Sequence, residues 1–154
     1  VKKQKIYIDT SFVGGCLDAE FEKYSNQLLQ EFLELKKIVL ISEVLLAEIE
    51  RAPNEVKAIL TLIQNKAETE YLPLNDVISD LSKKYIEKLA LPQKSFDDAR
   101  HIATASYYHA DALVSWNFKH IVNLRRIHLI NSINLAEGFA GIEITSPREA
   151  IDYE

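Results

Sequence analysis

The sequence predicts a three-layer α/β/α fold with a parallel sheet at its centre. Three observations predict it. Short apolar runs alternate with longer segments of helical periodicity along the 154 residues, the pattern of a parallel sheet covered on both faces. Only four glycines and four prolines punctuate the chain, which leaves little of it for irregular structure. Polar residues stand at the ends of two apolar runs, Asp9 after "IYI" and Asn117 after "ALVSW". In such sheets ligands bind beyond the carboxyl ends of the strands.

The first strand is expected at 5–9, where Ile6, Tyr7 and Ile8 lead into Asp9. A helix follows near 18–36, with Phe21, Leu28, Leu29, Phe32 and Leu35 at helical spacing. "IVLI" at 38–41 reads as a buried strand, and Ser42 as the cap of the helix "EVLLAEIERA". Pro53 suits the first turn of the helix "NEVKAILTLIQN". "TEYLPL" at 69–74 is a further strand, weakened by Pro73. Asn75 caps the helix "DVISDLSKKYIEKLA", and "LPQK" at 91–94 is a loop. A helix at 95–110 precedes a strand at 112–116. The helix "IHLINSINLAEGF", with Gly138 near its end, and the strand "IEITS" at 142–146 complete a single domain over 1–154.

Composition narrows the function classes. The one cysteine, Cys16, has no partner for an internal disulfide, which points to a reducing compartment. No apolar run approaches the roughly 20 residues of a membrane span. The opening lysines lead into a short strand rather than a cleavable leader. Cytoplasmic location and no membrane partner are the expectations. The net charge of −5 argues against a protein that coats nucleic acid. It leaves room for an enzyme that touches nucleic acid locally.

Four places in the chain can carry chemistry. Asp9-Thr10-Ser11 reads either as a cap or as a carboxylate with a hydroxyl two residues on. Glu48 interrupts the apolar run of Val44, Leu45, Leu46, Ala47 and Ile49. A carboxylate there is costly unless paired or bound to a metal, or it reaches the surface. Ser95-Phe96-Asp97-Asp98 fits the Ser-x-x-acid helix start. Phe96, Ala99, Ile102, Ala103 and Ser106 read as the buried stripe of that helix. Asp98 borders this stripe, Asp97 turns about a hundred degrees away, and His101 is spaced to pair with either. Asp111 precedes a strand, at the wrong end for a site, and reads as a turn residue. Asn117 stands at the right end, as a turn or as an amide oxygen near a metal. Trp116, Phe118, Lys119 and His120 around it suit stacking and charge contacts to a nucleotide. Asp9, Asp98 and Asn117 are therefore expected at one mouth of the sheet, with Glu48 from a nearby helix. Such a cluster suits Mg²⁺ or Mn²⁺, hard cations that prefer oxygen ligands.

The segments "YIDTS", "SEVLLAEIER", "DDARHIATA" and "ADALVSWNFKHI", in that order, resemble PIN-domain proteins, nearest to the VapC-type toxin ribonucleases. The resemblance extends to "IEITSPREAI" and implies a PIN-like fold and a metal-dependent nuclease, usually acting on RNA. It implies metal ligation by Asp9, Glu48 and Asp98, with Ser11 in the position of a nearby hydroxyl. It places Asn117 where an aspartate is common, so the second metal position is weakened. Arg100, Lys119 and His120 become candidate RNA contacts. A homodimer and an antitoxin protein are the further partners it implies. A haloacid-dehalogenase phosphatase also begins with a strand ending in aspartate, but it needs a second aspartate where this chain has Ser11. The remaining alternative is a non-catalytic PIN-like binding module.

Overall fold

The computed structural model describes residues 2–88 and 90–153. Five strands form one sheet: β1 (Lys5–Ile8), β2 (Ile38–Ser42), β3 (Thr69–Leu72), β4 (Ala112–Val114) and β5 (Ile144–Thr145). Their order is β3-β2-β1-β4-β5, and every neighbouring pair is parallel. Alternation along the strands feeds two cores. Ile6, Ile8, Val39, Ile41 and Val114 face one, and Tyr7, Leu40, Leu113 and Ile144 face the other. Burial on both faces is why the strands read as unbroken apolar runs.

The first core is covered by α1 (Thr10–Gly15), α2 (Glu22–Leu33), α3 (Glu43–Ile49), α4 (Asn54–Lys66) and α8 (Pro147–Ala150). The second is covered by α5 (Asp76–Glu87), α6 (Phe96–Tyr107) and α7 (Leu124–Ala136). The chain builds outward from β1 through β2 to β3, then returns to lay β4 and β5 on the other side of β1. The strand order therefore reverses between β1 and β4, where crevices open in sheets of this kind. Ile8 and Val114 are register partners, so Asp9 and Ser115 leave the sheet side by side.

Several boundaries differ from the sequence reading. Helix α1 was unforeseen because "TSFVGG" combines weak helix formers; the Asp9 carboxylate nucleates it by accepting the Phe12 N–H at 3.0 Å. The helix expected at 18–36 is confined to Glu22–Leu33. A 3₁₀ turn at Gln93–Ser95 replaces part of the 91–94 loop and leads into α6. Ser95 makes no side-chain capping bond, so the Ser-x-x-acid cap is corrected. Phe96 is 37% exposed and lies outside the buried stripe. Helix α7 starts earlier than expected, at Leu124, because the Asn123 side chain accepts the Arg126 N–H at 3.0 Å. Asp111 anchors the amino end of β1, its Oδ2 accepting the Lys5 N–H at 2.7 Å. No helix among the described residues is long and apolar enough to cross a membrane.

A buried lysine forms ion pairs inside the fold. Lys37 is 3% exposed and pairs with Glu31 and, at 2.9 Å, with Asp152. Glu31 also accepts the Asp152 N–H at 2.9 Å, which ties the chain's end to α2. Removing one partner of a buried pair strands the other charge. Lys37→Ala is expected to lower unfolding free energy by about 3 kcal/mol, read from urea melts. A loss within experimental error would mean that Glu31 finds solvent or another donor.

Candidate active site

Asp9 is 4% exposed just past β1, at the strand-order reversal. It is both cap and site residue. Besides capping α1, its Oδ1 accepts the Ser11 hydroxyl at 2.7 Å. Ser11 Oγ in turn accepts the Trp116 N–H at 2.8 Å and lies 3.2 Å from Ser115 Oγ. Ser11 thereby stitches the end of β1 to the end of β4. Burial pushes the Asp9 carboxyl above its ordinary range, against the pull of His101, Ser115, Ser11 and the Phe12 N–H.

Glu48 projects from α3, capped by Ser42 through the Leu45 N–H at 3.0 Å. The carboxylate is neither deeply sealed nor fully exposed, at 24% side-chain exposure. It can only accept, so the Thr10 hydroxyl donates to Oε1 at 2.6 Å and His101 donates from Nε2 at 2.5 Å. The His101 Nδ1 shares a 2.6 Å hydrogen bond with the Tyr7 hydroxyl, which also bonds Ser42 Oγ at 2.7 Å. Burial holds the Tyr7 hydroxyl firmly protonated. Burial alone would raise the Glu48 carboxyl, but His101, Thr10 and Arg100 outweigh it and hold it below its ordinary range. His101 was expected to pair with Asp97 or Asp98 and pairs with neither. At 2% exposure it faces the sheet, where a partner from α3 meets it.

Asp98 sits in the first turn of α6, half-buried, and its Oδ2 accepts the Asn117 Nδ2–H at 3.2 Å. Asn117 Oδ1 accepts the His120 N–H at 3.0 Å, and that demand fixes which way the amide faces. Asn117 therefore turns a donor to Asp98, while its oxygen is engaged by the His120 N–H. Asp97 points outward, 55% exposed, to Arg100 at 3.4 Å. Lys119 is exposed on the turn after Asn117, and His120 is half-buried there. Among the described residues, His120 Nδ1 is the buried side-chain polar atom left without a partner.

Residues from β1, α3, α6 and the end of β4 thus meet at the reversal point. Burial pushes the Asp98 carboxyl up to about 6, opposed by His101 and reinforced by the charges of Asp9, Glu48 and Asp97. That mutual repulsion is the electrostatic need a divalent cation meets, and the donors are hard oxygens. Among the described residues no three Asp, Glu, His or Cys side chains converge tightly enough to cage an ion unaided. Mg²⁺ does not require such a cage, since one or two carboxylates and several waters usually hold it. The residues therefore fit a hydrated hard cation better than a fully dehydrated one. The sequence did not single out Ser115 or the Tyr7–His101–Glu48 chain, and it gave Thr10 no bond to Glu48. Strand alternation puts Tyr7 and Asp9 on one side, but nothing local to His101 pointed to Glu48.

A pH dependence follows from Asp98. Its folded-state carboxyl holds a proton to about 6, while the unfolded one releases it near 3.8. The folded state binds more protons in that window, so stability falls as pH rises through it. Discounted for the solvent that reaches Asp98, the loss is on the order of 1–2 kcal/mol. Urea melts from about pH 4 to 7 without divalent cation are expected to show a steeper fall in the parent than in Asp98→Asn, which keeps the part due to the raised Asp9 carboxyl. Identical profiles would place the titration elsewhere.

The PIN domain family model matches residues 6–120, a span containing all of these side chains. No curated protein matches the chain significantly in sequence. Solved structures do match in fold. FitAcB from Neisseria gonorrhoeae superposes with a TM-score of 0.56 at 13% identity, over 93% of this chain and 98% of that one. FitAB bound to an IR36 DNA fragment gives 0.57 at 14% identity, over 92% and 94%. VapBC2 from Rickettsia felis, bound to a DNA fragment from its promoter, gives 0.56 at 14% identity, over 75% and 90%.

Proposed function

The chain belongs to the PIN domain family, and on that premise we propose that it is a Mg²⁺- or Mn²⁺-dependent endoribonuclease, the toxin of a toxin–antitoxin pair. The observation that supports the reading is that Asp98 feels the charges of both Asp9 and Glu48, which raise its carboxyl. Asp9, Glu48 and Asp98 would hold the cation, directly or through water. When bound, the cation lowers the pKa of water and offsets charge developing on a phosphodiester.

The chain's own residues do the rest. Ser11 and the Phe12 N–H hold Asp9 in place. Thr10 and His101 keep Glu48 ionised and aimed. Asn117 steadies Asp98. Arg100, Lys119 and His120 are the residues that would meet the phosphates of the RNA. Hydrolysis adds water across the phosphorus–oxygen bond and leaves one phosphate end and one hydroxyl end. An antitoxin protein is the further partner in this reading, supported by the same fold in FitAB and VapBC2, each bound to a DNA fragment. A homodimer belongs to the same reading, and light scattering of the purified chain checks it.

The second reading is a non-catalytic binding module. It is favoured by Asn117, which gives the fourth position no charge and turns a donor to Asp98. One experiment separates the two. RNA ends are sequenced after expression of the parent and of Asp9→Asn, and the purified parent is titrated with Mn²⁺ against the RNA so identified. New ends in the parent alone, made in vitro only with metal, support the nuclease. Equal ends in both proteins, or none, support the binding module.

A further inference from the structure

We propose that the aromatic recess beside the acidic cluster is a stacking subsite for one unpaired base of a single-stranded RNA, next to the phosphate the acids address. The inference rests on the nuclease reading and adds to it the residues that would hold a base beside the scissile phosphate. The recess has a volume of about 320 Å³ and is lined by Ser11, Gly14, Phe21, Trp116 and Asn117 among others. Ser11 and Asn117 belong to the acidic site as well, so the recess and the site are continuous. Phe21 and Trp116 stack with centroids 4.6 Å apart and planes at 22°. The Trp116 Nε1–H is already donated to Ser25 Oγ at 2.7 Å, which turns its one polar atom inward. Gly15 is required behind it, because a Cβ there would lie 2.8 Å from the indole ring. Phe118 meets Trp116 edge-on at 5.9 Å and is 49% exposed.

Charge complementarity identifies the occupant. The charges of Arg126, Lys119 and Lys94 are felt at His120, whose N–H closes the turn on Asn117, and Arg100 stands on α6. A chain of alternating bases and phosphates crossing this mouth meets both these cations and the aromatic rings. Ring stacking needs a base free of its own neighbours, which a duplex does not supply. Stacking on aromatic side chains tolerates any base, so the subsite selects single strands more than sequence.

Trp116 is the sole tryptophan, so its fluorescence reports the recess directly. Asp98→Asn protein with Mg²⁺ is titrated with a short single-stranded RNA, with the same RNA annealed to its complement, and with a series carrying one abasic sugar at successive positions. The single strand is expected to quench Trp116 and the duplex is not. One abasic position is expected to weaken Kd about tenfold, and Phe21→Ala, which removes the other ring of the recess, is expected to erase that penalty in the same background. Equal quenching by duplex and single strand overturns the proposal. So does an abasic penalty that is uniform, or unchanged by Phe21→Ala. A Phe118→Ala protein with altered mass and unaltered RNA binding makes this face a contact between copies of the chain, and also overturns it. Cleavage of the same single strand by the parent is read in parallel. Quenching without cleavage removes the nuclease reading and keeps the subsite, while cleavage without quenching does the reverse.

Discussion

Asp98→Asn is expected to lower RNA cleavage about 10³-fold, the scale on which removing one transition-state electrostatic contact is felt, while Asp97→Asn keeps most of it. The two acids are adjacent on α6 yet face opposite surroundings. Asp98 is half-buried against Asn117 and feels Asp9 and Glu48. Asp97 is exposed beside Arg100. An asparagine at 98 keeps the volume, and its amide oxygen can still accept the Asn117 N–H, so the fold should survive. The lost charge also relieves repulsion, and the metal-free Asp98→Asn protein should melt no lower than the parent at neutral pH. For Asp97→Asn the exposed ion pair contributes less than about 1 kcal/mol, so stability should barely change. Single-turnover cleavage and thermal melts of both variants check this. An inactive Asp97 variant beside an active Asp98 variant would reverse the assignment.

Replacing Asp9 is expected to split two roles that one side chain performs. Asn caps helices about as well as Asp, so Asp9→Asn should keep the bond to the Phe12 N–H and melt at or above the parent without metal. Its cleavage should fall about 10³-fold, and added Mn²⁺ should stabilise it much less than the parent, because binding to the folded form alone is what raises stability. Asp9→Ala removes the cap as well and should cost about 1–2 kcal/mol more than Asp9→Asn. Melts of the three proteins with and without Mn²⁺, together with cleavage rates, test both halves. If Asp9→Asn melts far below the parent without metal, its charge is part of the fold and the catalytic role fails.

The acid that ends β1 serves the fold and the site together because of where the strand lies. Asp9 is placed by the central strand of the sheet, and its cap starts a short helix whose Thr10 and Ser11 reach Glu48 and the end of β4. The sequence reading set capping and site roles as rivals for Asp9. In the structure one oxygen caps while the same carboxylate joins the cluster.

The layered parallel fold was legible because both cores write the same local signal. Burial on two faces makes each strand an unbroken apolar run, and covering helices repeat at their own period. Asp9, Asp98 and Asn117 were legible for a related reason, since strand ends and helix starts are local features and parallel sheets gather their carboxyl ends at one edge. The pairing of His101 with Glu48 was not legible, nor was the donor that Asn117 turns to Asp98. These depend on which helices meet above the reversal between β1 and β4, and on which partners buried polar atoms find there. Hydrogen-bond partners at sequence separations of 53 and 19 residues leave no periodic trace, so only the packed structure chooses them.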